Sequence, residues 1–310
     1  MRAVASRLWD VAFSPEAKRL AVCAGWIGPR EPGELTIWDL EQRRELFVLR
    51  QFQPIRSVVF SRDGKQLLVG DFGGLTRLFD PATGSVLTTL PKRAGIINSA
   101  VFTPDEKAII FGCFDGTVTL WDIATQRTSY VFLVPGERII KVAVSPNGEY
   151  LGAVTQTGKG HLWNLPRRLK LRSFEASKGA AGRPLPSAEA ILFTPDGKSF
   201  ATAGYAALRL WDTGTGKKLR EFPFASYGMN ALFTRDGKQL LCADGEGQVS
   251  IWNVGSGEKI AGWEAHAERC SGLALSQDER QLATAGWDYT IKVWDLEKRM
   301  LTGTLTRKKP

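Results

Sequence analysis

The side chains that most often carry chemistry are scarce and scattered in this sequence. It holds two histidines, His161 and His266, too few for a metal centre built on imidazole. The four cysteines, Cys23, Cys113, Cys242 and Cys270, are far apart and form no CxxC pair. Three of them lie in apolar, strand-like runs, where a free thiol behaves as a small hydrophobe, so neither disulfides nor a zinc site are expected. The chain has no GxGxxG, GxxxxGK[ST], HExxH or GxSxG motif. The run "GDFGGLTRL" at 70–78 is rich in Gly, yet no helix follows to aim amides at a phosphate, so it reads as a β-turn. Asp and Glu are spread over turns, and no paired carboxylates can be assigned. Aromatic residues interleaved with Arg at the regular spacing of an RNA platform are absent. The expectation is a protein that is no enzyme, with no metal and no cofactor.

Bulk composition points the same way. With 43% hydrophobic and 24% charged residues, 32 Gly and 15 Pro, the chain reads as globular. No stretch approaches the ~18 continuous apolar residues of a membrane span. The opening "MRAVASRLWDVAF" has no apolar run of the secretory kind, which implies a cytoplasmic location. The net charge of +9 is concentrated in "PRRLKLR" (166–172) and "TRKKP" (306–310). Such segments usually form a solvated surface, and nucleic-acid binding is the alternative they allow.

What the sequence does contain is a period. Trp38-Asp39, Phe79-Asp80, Trp121-Asp122, Trp163-Asn164, Trp211-Asp212, Trp252-Asn253 and Trp294-Asp295 follow one another at steps of 41, 42, 42, 48, 41 and 42 residues. Within each unit, short apolar strands alternate with tight turns. In 228–260, strands at Ala231–Phe233, Gln239–Ala243 and Val249–Trp252 are separated by "TRDGK" and "DGEG", and "VGSGE" leads into a fourth. The first turn recurs as "SPEAK", "SRDGK", "TPDEK", "SPNGE", "TPDGK", "TRDGK" and "SQDER". Pro presets φ at its second position, and Asp, Asn or Gly tolerates a left-handed corner. No segment keeps a 3.6-residue apolar period, so the chain should be almost entirely β. The long fourth step falls at "SFEASKGAAGRPLPS" (173–187), expected to be a surface excursion.

These features resemble the WD-repeat family over about residues 8–305. The resemblance implies an all-β, seven-bladed β-propeller with four antiparallel strands per blade. It would be a single domain over 1–310, with blades at about 8–50, 51–91, 95–134, 138–174, 188–223, 228–262 and 266–306. Family blades often carry a buried hydrogen-bond relay, and here only the seventh unit matches it throughout, with Asp288, His266, Thr284 and Trp294. In the third unit Phe111 and Arg93 stand at two of the relay's places, and in the sixth Cys242 replaces the hydroxyl. His161 lies in the third strand of its unit and cannot be the family histidine. The segment 300–306 supplies the last unit's fourth strand, so the ring would close by blade packing alone, or the sequence is one module of a longer protein.

The resemblance also implies a binding face. Residues opening each first strand would surround the channel mouth on the top face: Trp9, Arg56, Asn98, Ile140, Glu189, Met229 and Ser271. The turn after each second strand reaches the same face and carries Trp26, Phe72, Phe114, Tyr205 and Trp287. Turns favour Gly, Asn, Asp and Ser, so five aromatic residues there need a reason. They either cap their own blades or form an aromatic, Arg-bearing binding surface. The expected function is a monomeric, non-catalytic scaffold that binds a protein or peptide, with nucleic-acid binding as the alternative.

Overall fold

Each aromatic-Asp/Asn pair ends a strand, and its two residues do different work. The ring of the first is buried in all seven pairs. The side chain of the second accepts an amide hydrogen from the turn that follows. Asp39 accepts from Gln42 N at 2.8 Å, Asp122 from Thr125 N at 2.7 Å, Asn164 from Arg167 N at 2.9 Å and Asp295 from Lys298 N at 2.8 Å. Only an acceptor oxygen is required, which is why Asn can replace Asp. The earlier turn works similarly. In the second unit Ser61 Oγ donates to Asp63 at 2.6 Å and accepts from Gln66 N at 2.9 Å. Its left-handed corner is the fourth residue, at Gly64, Gly148, Gly197 and Gly237 but also at Ala17, Glu106 and Glu279.

The computed structural model describes residues 7–25, 32–177 and 187–306. Trp26, most of the excursion at 173–187 and the end of the basic tail lie outside the described residues. Among the described residues there are strands and turns and no helix. Repeat one holds β1 (Leu8–Phe13), β2 (Arg19–Ala24), β3 (Gly33–Asp39) and β4 (Arg44–Phe52). Repeat two holds β5 (Ile55–Phe60), β6 (Leu67–Asp71), β7 (Thr76–Phe79) and β8 (Val86–Thr89). Repeat three has β9 (Ile97–Phe102), β10 (Ala108–Cys113), β11 (Thr117–Asp122) and β12 (Arg127–Leu133). Repeat four has β13 (Ile139–Val144), β14 (Tyr150–Thr155), β15 (Lys159–Asn164) and β16 (Leu169–Glu175). Then come β17 (Ala188–Phe193), β18 (Ser199–Asp212), β19 (Lys218–Phe233), β20 (Gln239–Asp244), β21 (Gln248–Asn253) and β22 (Lys259–Glu264). Repeat seven closes with β23 (Cys270–Leu275), β24 (Gln281–Gly286), β25 (Thr290–Asp295) and β26 (Met300–Thr306). Five sheets are antiparallel four-stranded meanders, and β17 to β22 form a sixth, six-stranded sheet.

That sixth sheet departs from the expected boundaries. The strand β19 runs unbroken through residues 223–228, where one repeat was expected to end and the next to begin. Its first part pairs with β18 and its second with β20. The strand β18 doubles back on itself. Trp211 Nε1 donates to Thr202 Oγ1 at 3.0 Å, although nine extended residues would span roughly 30 Å. The reversal lies at Ala206, whose φ is 61°. The excursion also starts later than expected, because 173–175 belong to β16.

The chain divides into two compact units. One comprises residues 1–97, 246–248 and 264–310, and the other 98–245 and 249–263. In the first, apolar layers fill the space between successive sheets: Leu8, Val11 and Leu20 meet Ala283, Ile291 and Leu305, while Cys23, Leu35 and Ile37 meet Ile55, Val58 and Leu67. The first and seventh repeats are also joined by Ser271 Oγ, which donates to Leu8 O at 2.6 Å. The last sheet is completed by β26 on β25. In the second unit similar layers join repeats three and four through Phe132, Val142 and Trp163, and join β20 and β21 to β17, β18 and β19 through Leu208, Phe222 and Trp252. The sheet of β1–β4 thus buries both faces, which explains apolar residues on both sides of its inner strands.

Candidate binding site

Aromatic side chains and arginines gather in the first unit. Trp9 and Trp287 meet edge to face with centroids 5.1 Å apart. The Arg56 guanidinium lies over Trp9 at 3.9 Å and over Phe72 at 5.5 Å. Arg7 and Arg269 lie over Trp287 at 4.2 and 4.6 Å. Backbone bonds set this row in place: Phe72 N donates to Pro54 O at 2.9 Å, and Trp287 N to Arg269 O at 2.9 Å. Each turn aromatic therefore stands over the start of its own repeat's first strand. Guanidinium stacking on a ring is worth about 0.5–1 kcal/mol at exposed sites.

The carboxylates beside the row face other donors. Asp71 accepts from Leu75 N at 3.0 Å and pairs with Arg77 at 3.2 Å. Burial pushes its carboxyl up despite those bonds. Asp288 belongs to the relay described below.

The second unit shows the same placement with fewer members. Arg138 lies over Phe114 at 5.5 Å, and Tyr227 meets Tyr205 edge to face at 5.1 Å. Glu189 accepts from Ser187 Oγ at 2.7 Å, and Met229 is half-buried.

Several residues expected on a surface are not there. Trp9 is only 8% exposed, packs among Cys23, Leu35, Ile37 and Val58, and donates its indole hydrogen to Gly25 O at 2.7 Å. Asn98, Ile140 and Ser271 are likewise buried. Asn98 Nδ2 donates to Ile139 O at 3.2 Å, and Ser271 is spent on Leu8. The physical reason is that a strand's opening residue already lies between adjacent sheets. Phe72, Phe114, Tyr205 and Trp287 are half-buried, as is Arg56, while Arg269 is exposed. Trp9→Ala would remove core packing as well as a ring, so its effect on binding cannot be separated from its effect on folding.

The seventh repeat holds a buried chain of polar groups. Trp294 Nε1 donates to Thr284 Oγ1 at 3.0 Å, and Thr284 lies 2.8 Å from His266 Nε2. His266 Nδ1 meets Asp288 at 2.9 Å, and Thr290 Oγ1 donates to the same carboxylate at 2.7 Å. One consistent assignment runs from indole to hydroxyl to imidazole to carboxylate. Burial alone would push the Asp288 carboxyl up, but hydrogen bonds from His266 and Thr290 outweigh it and hold it well below the usual range. The His266 side chain has no exposed surface, and both of its ring nitrogens meet partners inside the relay.

A family model described as WD domain, G-beta repeat matches residues 84–122 and 257–295, the second spanning the turn and strands of this relay. Two stretches of the chain therefore match WD repeats. It is 26% identical over 257 residues to Arabidopsis thaliana cell division cycle 20.5, cofactor of APC complex, covering 78% of this chain and 55% of that protein. It is 25% identical over 176 residues to periodic tryptophan protein 2 of Saccharomyces cerevisiae, covering 53% of this chain and 18% of that one. With WD repeat-containing protein 1 of Bos taurus it shares 22% over 226 residues, 57% of this chain and 36% of the other. The chain thus spans at most about half the length of these relatives.

The other repeats lack the full relay, and the consequences are visible. Trp252 Nε1 donates instead to Ser250 Oγ at 3.0 Å, within its own strand. The buried indole hydrogens of Trp38 and Trp121 have no hydrogen-bond partner among the described residues, and Val22 and Phe111 stand where Thr284 stands in repeat seven. Repeat four builds a different polar cluster. Glu137 accepts from Thr155 Oγ1 at 2.7 Å, Thr157 Oγ1 at 2.9 Å and Lys159 Nζ at 2.9 Å. His161 is buried, with Nδ1 3.0 Å from Ser173 Oγ and Nε2 3.7 Å from Glu137. Burial would raise the Glu137 carboxyl, but its hydrogen bonds outweigh this and lower it to about 2. Burial lowers His161, helped by Lys170.

This cluster has an acid-pH signature. A carboxylate depressed in the folded state adds stability that is full above its unfolded pKa and lost as pH falls through its folded value. For Glu137 that window runs from about pH 4.3 down to about 2. Glu137→Gln should lower the melting temperature at neutral pH and make the decline within that window shallower. Thermal melts across it check the point. A variant curve parallel to wild type would contradict it.

Sequence reasoning missed Arg7, Arg138 and Arg269. All three occupy one register position, two residues before Trp9, Ile140 and Ser271. That shared position was the available signal.

Proposed function

We propose that this chain is a non-catalytic protein-interaction scaffold, a seven-bladed WD-repeat propeller that binds a protein or peptide at the aromatic and arginine row of its first unit. Counting β18 and β19 as two strands each gives twenty-eight among the described residues, or seven sets of four, in keeping with the seven repeats. The observation that carries the binding reading is the row Phe72–Arg56–Trp9–Trp287 with Arg7 and Arg269. Trp and Arg are the residues that dominate interface energetics, and partly buried rings are pre-ordered for contact at little entropic cost. The name of the Arabidopsis relative, a cofactor of a complex, is that of a protein acting through contact with others. Phe114, Tyr205, Glu189 and Met229 would be binding residues of the second unit, and the scaffold would work as a cytoplasmic monomer or as one module of a longer protein. No helix among the described residues is long and apolar enough to cross a membrane.

Affinity capture from cell extract, with and without nuclease, tests this reading against nucleic-acid binding. Proteins retained after nuclease, and lost from Trp287→Ala at an unchanged melting temperature, are expected. Capture that vanishes with nuclease, or falls with salt as counterion release requires, would replace the proposal by the nucleic-acid alternative.

A further inference from the structure

Four repeats use one position of their fourth strand to fill the seam with a neighbouring turn, and the seventh repeat does not. The position lies opposite the residue that precedes the buried Trp. It holds Phe47, Tyr130, Arg172 and Arg220 in repeats one, three, four and five, and Gly303 in repeat seven. Phe47 packs on Gly84 of the next repeat's turn. Arg172 donates to Gly214 O and Arg220 to Gly255 O, each at 2.6 Å. Gly303 has no side chain to offer, and beside it the seam between repeats seven and one holds a cleft of about 330 Å³. Leu40, Val293 and Leu305 give this cleft apolar walls, while Arg280, Gln281 and Asp295 add polar groups. Arg43 lines it as well.

The seam between repeats three and four shows what such a cleft accepts. Arg168 and Arg43 hold the same place, five residues after Trp163 and Trp38, with left-handed φ of 57° and 50°. Each reaches the bulged residue of the adjoining repeat's fourth strand. Arg168 Nη2 donates to Ser129 Oγ at 3.3 Å, and Arg43 Nη2 to Thr302 O at 3.1 Å. The Tyr130 ring lies beneath the Arg168 guanidinium at 5.1 Å. Beneath Arg43 stands Gly303, where a Cβ would lie 3.6 Å from Cζ and 3.7 Å from both Nη atoms. Near-equal distances mean that the flat face of the guanidinium turns toward the missing side chain. Arg43 makes no other hydrogen bond or ring contact among the described residues. We propose that this cleft takes an aromatic side chain, tyrosine foremost, from a partner protein, and stacks it on Arg43 as Tyr130 stacks on Arg168. The apolar walls suit the ring, and the polar groups suit a phenol hydroxyl. The residues after Thr306, Arg307-Lys308-Lys309-Pro310, include no ring and share the charge of Arg43, so the chain's own end is a poor occupant. This surface shares no residue with the row above and stands independently of it.

Titration of the full chain with end-blocked Gly-Tyr-Gly and Gly-Leu-Gly tests this, followed by the methyl NMR signals of Leu40, Val293 and Leu305. Millimolar Gly-Tyr-Gly should shift all three. It should bind about two- to fivefold tighter than Gly-Leu-Gly, the size of one guanidinium–ring contact at an exposed site. In Arg43→Gln that preference should disappear, since the amide keeps a donor for Thr302 O and loses the stacking face. Gly303→Tyr supplies the ring from within, as Tyr130 does, and should abolish binding of both peptides. Its melting temperature should hold or rise, because Tyr suits a strand better than Gly. Arg43 is exposed, so Arg43→Gln reports even if Gly303→Tyr folds poorly. Unshifted methyl signals, equal binding of the two peptides, a tyrosine preference that survives Arg43→Gln, or binding that survives in folded Gly303→Tyr would each overturn the proposal. Each of these outcomes leaves the reading of the row intact, because that reading is tested through Trp287→Ala.

Discussion

Gly247→Ala is expected to destabilise the protein by about 3 kcal/mol or more, enough to leave much of it unfolded at a marginal total stability of about 5–15 kcal/mol. Gly247 has a φ of 77°, and a Cβ there would lie 2.0 Å from His266 O and 2.5 Å from Glu268 O. Those are backbone atoms, so relief requires moving the chain that carries His266. The same contact holds hydrogen bonds, since Gly247 O accepts from Ala265 N at 2.9 Å and His266 N at 3.0 Å. Gly136 separates strain from collision. Its φ is 76°, yet nothing lies within 4 Å of its Cβ position. Gly136→Ala should therefore cost only the left-handed strain, about 1–2 kcal/mol. Urea titrations of both variants check the difference. Equal losses would mean that the close approach at Gly247 is not what constrains it.

Asp288→Ala is expected to cost about 3 kcal/mol, near the upper end for a buried acceptor serving several donors. It would strand His266 Nδ1, Thr290 Oγ1 and the amides of Thr290 and Ala267, all within 3.2 Å of its carboxylate. Asp115 is the matching turn residue of repeat three. It is exposed, and its carboxylate accepts from Thr117 N at 2.9 Å and Thr117 Oγ1 at 2.6 Å. Asp115→Ala should cost about 1 kcal/mol or less. Denaturant melts of the pair check this. If Asp288→Ala unfolds like the parent, or costs no more than Asp115→Ala, the chain from Trp294 to Asp288 does not stabilise the fold.

Much of the fold can be read from one strand of letters because its turns are local. The Asp of each Trp-Asp pair and the Ser or Thr opening each first turn act on amides two to five residues away, so their spacing survives in the sequence. The relay residues could be placed for the same reason of register: Thr284 lies ten residues before Trp294. Long-range facts were less legible. Continuity of β19 through 223–228 depends on which neighbours flank it, and residues 218–233 carry no mark of it. The left-handed corners at Ala17, Glu106 and Glu279 use residues that do not advertise such a φ. Trp9 was expected at a surface because it precedes the apolar core of its strand, yet adjoining sheets bury it. Phe72 and Trp287 were picked out as odd turn residues. Their partners Arg7, Arg56 and Arg269 come from repeats one, two and seven, which are distant in sequence and adjacent in the fold.

The most direct test of the binding assignment is site-specific photo-crosslinking in cell extract after nuclease treatment, with a photoreactive side chain placed at Arg269 or, as control, at Arg167. Both positions are exposed, so neither placement should disturb folding. Discrete protein adducts from position 269, absent from position 167 and lost when Trp287→Ala is added, are the predicted result. Adducts from position 167 with none from 269 would place the binding surface elsewhere and contradict the assignment.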